Sequence, residues 1–304
     1  MRQIPILNSQ FPNLNFAFDV PTLTLARMNN HATSLNLNAS LARRILVSFL
    51  HDEVHRTGLS RAVVGLSGGL DSALSCFLAA EALGPENVLA MRMPYKTSLS
   101  DSLAHAQLVI DQTGVQSETF AITDMVEPLL ATVPAEDTRR RGNIMARARM
   151  IVLYDRSAAN GALVIGTGNK TEILLGYTTL FGDSASALNP LGDLYKTQVR
   201  QLSRALGVPR PIIDKPPTAD LWPGQTDEGE MGLTYERVDQ LLYLLVDQRY
   251  RPEECVEAGF EGAFVERVLK LMRQNQFKRM PPIIAKLSNR TVGYDFLYLR
   301  DWGT

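Results

Sequence analysis

Cysteine is scarce in this chain of 304 residues: Cys76 and Cys255 are the only two, far apart and in no CxxC pair. That scarcity excludes a disulfide framework and argues against a zinc site or a dithiol redox motif. Each thiol reads as a small buried apolar residue, which suits a reducing compartment. Net charge is equally sparse. A formal charge of −1 provides no general attraction to nucleic acid or to an anionic membrane surface. The local run Arg139-Arg140-Arg141 reads as a solvated loop. Long apolar runs are missing too, and no window approaches the ~18 consecutive apolar residues that a spanning helix requires. Residues 1–30 lack a positive segment followed by an apolar core, so no secretory leader is expected. These absences point to a soluble, cytoplasmic protein.

What is present is ordinary for a globular chain: 45% hydrophobic and 21% charged residues, with enough length to bury a core unaided. Residues 1–38 are rich in Asn, Pro and Thr without a sustained period, and read as an N-terminal arm. Residues 39–304 read as one domain. Ser40–His55 carries a helical apolar stripe, with Ser40 as the expected N-cap. Arg61–Leu66, Asn87–Met93, Val115–Ala121 and Ala162–Ile165 read as strands. Between them, helices are expected over Asp71–Leu83, Ser100–Thr113 and Asp137–Asn160, stopped by Gly84-Pro85, Gly114 and Gly161. Strands alternating with helices imply an α/β fold: a doubly wound, mostly parallel sheet flanked by helices. Further helices over Leu194–Leu206, Tyr235–Arg249 and Glu261–Gln274 make the C-terminal part helical. Residues 208–233, with five prolines and three glycines, form a long loop of the kind that serves as a lid.

The strongest chemical signal is Gly65-Leu66-Ser67-Gly68-Gly69-Leu70-Asp71-Ser72, between a strand and a helix, where α/β sheets bind phosphates. Glycine lets the backbone approach an anion, and the helix N-terminus with its amides holds it. Ser67 and Ser72 add hydroxyls. Asp71 would repel phosphate directly, so its reasonable role is to hold Mg2+ bridging to phosphate oxygens. No Lys follows the glycines, so this is not a Walker A loop.

This loop resembles the pyrophosphate-binding loop of the N-type ATP pyrophosphatases, enzymes that cut ATP between its α and β phosphates. Further motifs in order select one branch. Asn143-Ile144-Met145-Ala146-Arg147-Ala148-Arg149-Met150, Gly166-Thr167-Gly168-Asn169-Lys170-Thr171-Glu172, Asn189-Pro190-Leu191-Gly192-Asp193-Leu194-Tyr195-Lys196, Pro217-Thr218-Ala219-Asp220 and Lys278-Arg279 resemble segments of the NAD synthetases. The resemblance spans about residues 40–300 and implies an adenine nucleotide alpha hydrolase-like, Rossmann-like fold. It implies ATP-dependent amidation of deamido-NAD with ammonia, giving NAD, AMP and pyrophosphate through an acyl-adenylate. It also implies ATP contacts from Gly65, Ser67, Gly68, Gly69, Asp71, Ser72, Thr167, Lys196 and Thr218. Asp71 and Glu172 become the Mg2+ pair. Asn143, Arg147, Asp183 and Lys278 fall on the deamido-NAD side, with Asp183 and Lys196 nearest the reacting centre. Segment 209–232, carrying Thr218, Asp220, Asp227 and Glu228, is the candidate lid, and a homodimer is implied.

Plainer readings stand beside these: a surface helix residue for Glu172, an exposed helix lysine for Lys196, and a turn-capping acid for Asp183. Three positions depart from the family pattern. Leu180 stands where a lysine is frequent, Ala187 where a second aspartate is, and Phe277 where a histidine precedes the lysine. Leu180 and Ala187 leave open nicotinate mononucleotide as the acid, and a GMP-synthetase-like amidation stands as a further alternative. Glutamine-using relatives carry a glutaminase domain with a thiol nucleophile. Residues 1–38 contain no cysteine, so free or externally delivered ammonia is expected.

Overall fold

The computed structural model describes residues 35–216, 218, 232–280, 282–293 and 295. Most of the N-terminal arm and of the candidate lid, including Asp220, Asp227 and Glu228, lies outside them. Four parallel strands form the sheet: β1 (Arg61–Gly65), β2 (Val88–Arg92), β3 (Gln116–Thr119) and β4 (Ala162–Ile165), in spatial order β3-β2-β1-β4. Val63 of β1 is paired with Leu89 of β2 and Val164 of β4. Side chains alternate across a strand, and β1 uses that period to feed two cores. Ala62 and Val64 pack on one face, while Val63 packs on the other.

The first face is covered by α1 (Ala39–His55), α2 (Leu70–Leu83), α3 (Ser100–Thr113), α7 (Lys196–Ala205) and the short α8 (Arg210–Ile213). Leu50, Leu74, Leu78, Val109, Val199, Leu202 and Ile212 are buried there. The second face is covered by α4 (Thr123–Leu130) and α5 (Thr138–Asn160), through Val126, Leu130, Met145, Ala148 and Val152. Parallel neighbours require crossovers. The chain winds outward from β1 to β3 over the first face. It then crosses the second face and returns beside β1 as β4. The reversal therefore falls between β1 and β4, the place where open α/β sheets form a crevice at the strands' C-terminal ends.

A third core is wholly helical. It joins α6 (Lys170–Leu175), α9 (Tyr235–Leu242), α10 (Pro252–Glu257) and α11 (Gly262–Gln274) around Tyr195, Tyr235, Val238, Leu241, Cys255 and Val268. Leu35 is buried in the same cluster, and Gln201 bonds the backbone on either side, at Leu35 O and Leu37 N. Residues 35–38 are thus packed against the body. Both cysteines are buried and free; burial pushes the Cys76 thiol up to about 12 and Cys255 up to about 11.

Elements and expectations differ in a few places. The expected helix Tyr235–Arg249 is α-helical only to Leu242, and a π-helical turn follows over Tyr243–Asp247. α4 escaped the reading because Pro128 sits inside it, and α6 and α10 are each only six residues long. At α1 the cap is Asn38, not Ser40: the Asn38 side chain accepts from Leu41 N at 3.1 Å. Asn38→Ala should therefore cost about 1 kcal/mol in urea unfolding, while Ser40→Ala should stay within about 0.5 kcal/mol of the parent.

Candidate active site

The crevice at the β1/β4 switch is a cavity of about 830 Å³. Its floor begins with the loop after β1. Gly65, Ser67, Gly69, Asp71 and Ser72 line the cavity; Gly68 does not. Gly68 has φ +79°, and a Cβ there would lie 2.1 Å from Ser102 O of α3. Its glycine is required by the backbone conformation and by the close packing against α3. The two serines tie the turn together. Their hydroxyls lie 3.0 Å apart, Ser72 Oγ donates to Gly69 O at 3.0 Å, and Gly69 N donates to Ser67 Oγ at 3.2 Å. Gly69, as N-cap of α2, has no capping side chain, so the positive helix end faces the crevice as an anion site.

The loop after β4 supplies the opposite wall. Thr167 lines the cavity, and Asn169 caps α6 in a capping box with Glu172. Asn169 is fully buried, and its Nδ2 donates to Asp71 Oδ1 at 2.9 Å. This one side chain joins the two strand-end loops. Lys196, the first residue of α7, then reaches between them. Its Nζ lies 2.5 Å from Asp71 Oδ2 and 3.2 Å from Glu172 Oε1, and 5.2 Å from the centre of the buried Tyr235 ring. Only 3% of Lys196 is exposed, which rules out the reading of an exposed helix lysine. A buried ammonium is tolerable only with such partners. Glu172 is likewise no plain surface residue, since its side chain is 15% exposed.

Two carboxylates sharing one ammonium leave the cluster with excess negative charge and hard oxygen donors. No group of three or more His, Cys, Asp or Glu side chains that could hold a metal occurs among the described residues. A pair of carboxylates completed by substrate phosphates and water is the arrangement that suits Mg2+. Asp71 and Glu172 fit that ion.

The remaining wall comes from α5 and from the irregular segment 176–187. Asn143 Oδ1 accepts the Thr179 hydroxyl at 2.9 Å, and Arg147 Nε donates to Leu180 O at 3.2 Å. Leu180 thus contributes its carbonyl, whatever its side chain. Arg149 is half-buried and donates to Met93 O at 3.0 Å. Asp183 Oδ1 accepts Thr179 N at 2.8 Å, so the turn-capping role is real. It does not exclude a chemical one, because the carboxylate lines the cavity. Asp183 is exposed at the cavity wall. Desolvation raises its pKa, opposed by the Thr179 bonds and by the charge of Lys278. Lys278 lies on the wall, but its ammonium donates to the carbonyls of Gly176 and Thr178 at 2.6 and 2.7 Å. Burial lowers its pKa, with Arg139 adding to that effect and Asp183 opposing it.

Thr218 lines the cavity. The structure adds cations that motif reading missed: Arg139, Arg200, Lys215 and Arg267 also face the crevice. Lys215 Nζ donates to Ser102 Oγ at 3.1 Å, and Arg200 pairs with Glu236. Among the described residues, eight cationic side chains and three acidic ones line the cavity. Such a lining attracts polyanions. Sequence spacing had no signal for these four, because each comes from a different element.

Comparison with known proteins gives a consistent result. A family model described as NAD synthase matches residues 42–282. The NH3-dependent NAD+ synthetase of Trichlorobacter lovleyi is 58% identical over 269 residues, covering 88% of this chain and 98% of the relative. Among solved structures, the NMN synthetase of Francisella tularensis is 32% identical with a TM-score of 0.73, over 82% of this chain and 99% of that one. The NH3-dependent NAD synthetase of Campylobacter jejuni is 29% identical with a TM-score of 0.71, over 83% and 100%.

Proposed function

The chain belongs to the NAD synthase family, and from that premise we propose that it amidates deamido-NAD with ammonia at the expense of ATP. The observation that carries this reading is the convergence of Asp71, Glu172 and Lys196 at the β1/β4 switch. In the first step a nicotinate carboxylate oxygen attacks the α-phosphorus. The bond to the β-phosphate breaks, and pyrophosphate leaves with the electron pair. Ammonia then attacks the acyl carbon, AMP departs, and the surplus proton is taken up. Relatives more than half identical over their full length are NH3-dependent NAD+ synthetases. That likeness outweighs the less similar NMN synthetase structure and favours deamido-NAD over the mononucleotide.

The roles of individual residues follow from the geometry. Ser67, Gly69, Ser72 and the start of α2 would hold phosphate oxygens, with Thr167 and Thr218 beside them. Lys196 would neutralise charge as pyrophosphate leaves, a form of electrostatic stabilisation that is strong in a water-poor site. Asp71 and Glu172 would hold Mg2+, which supplies positive charge across the phosphates. Arg147 and Asn143 would orient the acid. Asp183 would orient ammonia and accept its proton. Lys278 acts through the carbonyls it holds, keeping the Asp183 turn in place. The acyl-adenylate hydrolyses in water, so enclosure matters.

A homodimer is supported by an apolar patch on the outer side of α4 and α5, where Met125, Leu129, Ile151 and Tyr154 are exposed. No helix among the described residues is long and apolar enough to cross a membrane, and substrates such as ATP and deamido-NAD fit a cytoplasmic setting.

Incubation with ATP, Mg2+, ammonium and deamido-NAD should yield NAD with equal amounts of AMP and pyrophosphate by mass spectrometry. Asp71→Ala should lower the rate by at least 10–100-fold, roughly the loss expected of a metal-site change. Nicotinate mononucleotide run in parallel should be the poorer substrate. Product from it alone would reassign the acid, and no AMP from either would refute the reading. The proton-accepting form of Asp183 is the carboxylate, whose pKa is raised, so the acid limb of kcat/KM should lie above the ordinary aspartate range. Lys278→Met removes a charge that holds that pKa down and should move the limb to higher pH. In sedimentation velocity the chain of 33.7 kDa should run as a dimer, and Ile151→Glu should weaken it.

A further inference from the structure

Lys196 is the most buried charge at the site, and part of what fixes it comes from outside the cavity. Asp239, on α9, is fully buried and does not line the crevice. Its Oδ1 accepts the Thr171 hydroxyl at 2.6 Å, and its Oδ2 accepts Thr197 N at 2.8 Å. The Thr171 oxygen in turn accepts Lys196 N at 3.0 Å. One carboxylate therefore joins the first turn of α6, which carries Glu172, to the first turn of α7, which carries Lys196.

A carboxylate so deeply buried is costly unless compensated. Here the compensation comes from a hydroxyl and from an amide at a helix start. Such amides have no partner within their own helix, and the dipole there favours negative charge. Burial raises the Asp239 pKa; the Thr171 hydroxyl, the Thr197 amide and hydroxyl and the charge of Lys196 oppose it. The same polypeptide segment repeats the arrangement one step outward. Asp247 accepts from Lys170 Nζ at 2.8 Å and from the Tyr195 hydroxyl. Lys170 and Tyr195 immediately precede Thr171 and Lys196. The π-helical turn Tyr243–Asp247 thus ends on the second of two aspartates that grip the same pair of helix starts.

We propose that Asp239 is a positioning residue for the reaction centre. Through Thr171 and Thr197 it sets Glu172 and Lys196 in register with Asp71 before ATP arrives. This rests on the functional reading above, because the register matters for holding ATP with Mg2+.

The test is a double-mutant cycle read by titration calorimetry of ATP, in Mg2+ and again in EDTA, with thermal unfolding recorded for each variant. Asp239→Asn keeps the shape but turns an amide donor toward a donor. It should weaken ATP binding about 10–100-fold, the scale seen when the support of a ligand-holding side chain is lost. In a Lys196→Met background the same change should cost no more than about twofold, the error of simple additivity. A purely structural residue would cost the same in both backgrounds; that result, or unchanged binding in the single variant, would overturn the proposal. Should Asp239→Asn fail to fold, Thr171 carries the test: Thr171→Ser should bind ATP as the parent does, and Thr171→Val should not. Equal binding by those two would also overturn it. Turnover of the parent chain with deamido-NAD is measured alongside. Its failure would refute the functional reading, whereas normal binding by Asp239→Asn would refute only the positioning role.

Discussion

One ammonium ion holds the site together. Lys196 Nζ sits between Asp71 and Glu172, which stand in the first turns of the helices that follow two neighbouring strands. Without it, two carboxylates would face each other in a half-buried crevice with no positive charge between them. With it, three segments distant in sequence are fixed at one point. The cost of burying the charge is offset by direct pairing, by the Tyr235 ring and by Asn169, which bridges the loops and caps α6. The cluster still carries surplus negative charge, which makes a divalent cation welcome there.

The fold decides where this point lies. Winding reverses between β1 and β4, so the helices that leave those strands diverge and open the crevice. The loop after β1 can turn into α2 only because Gly68 takes a left-handed conformation against the Ser102 carbonyl. Around the acidic pair the wall is strongly cationic. Opposite charges at the centre and the periphery suit different ligands, a cation within and anions around it.

The C-terminal helical part does more than bury its own apolar residues. Helix α6 has six residues, too few to persist alone. Its start is held by Asn169 and by the Asp239–Thr171 bond, and its end by Arg279, which donates to the carbonyls of Ile173 and Leu174. Lys278 secures the turn that follows through Gly176 and Thr178. Glu172 is thereby fixed from both ends by residues about 70 and 100 positions away.

Much of this was legible in the chain itself. Strand–helix alternation determined the parallel sheet, because buried parallel strands need apolar runs and covering helices. The glycine-rich turn marked the loop that floors the crevice, since few other residues permit that backbone path. Ordered motifs singled out Asp71, Glu172 and Lys196. Other features had no local signature. Ser40 looked like the cap of α1, yet Asn38 does the work, because capping depends on where the chain enters the helix. Pro128 concealed α4. Arg200, Lys215 and Arg267 are unremarkable in sequence and become part of the site only when separate elements converge. Asp239 reads as one polar residue in an amphipathic helix. Sequence periodicity reports which face of an element is apolar, and so determined the layers and the loop. Which charges meet across those layers depends on distances between segments far apart in the chain, and only the tertiary structure decided that.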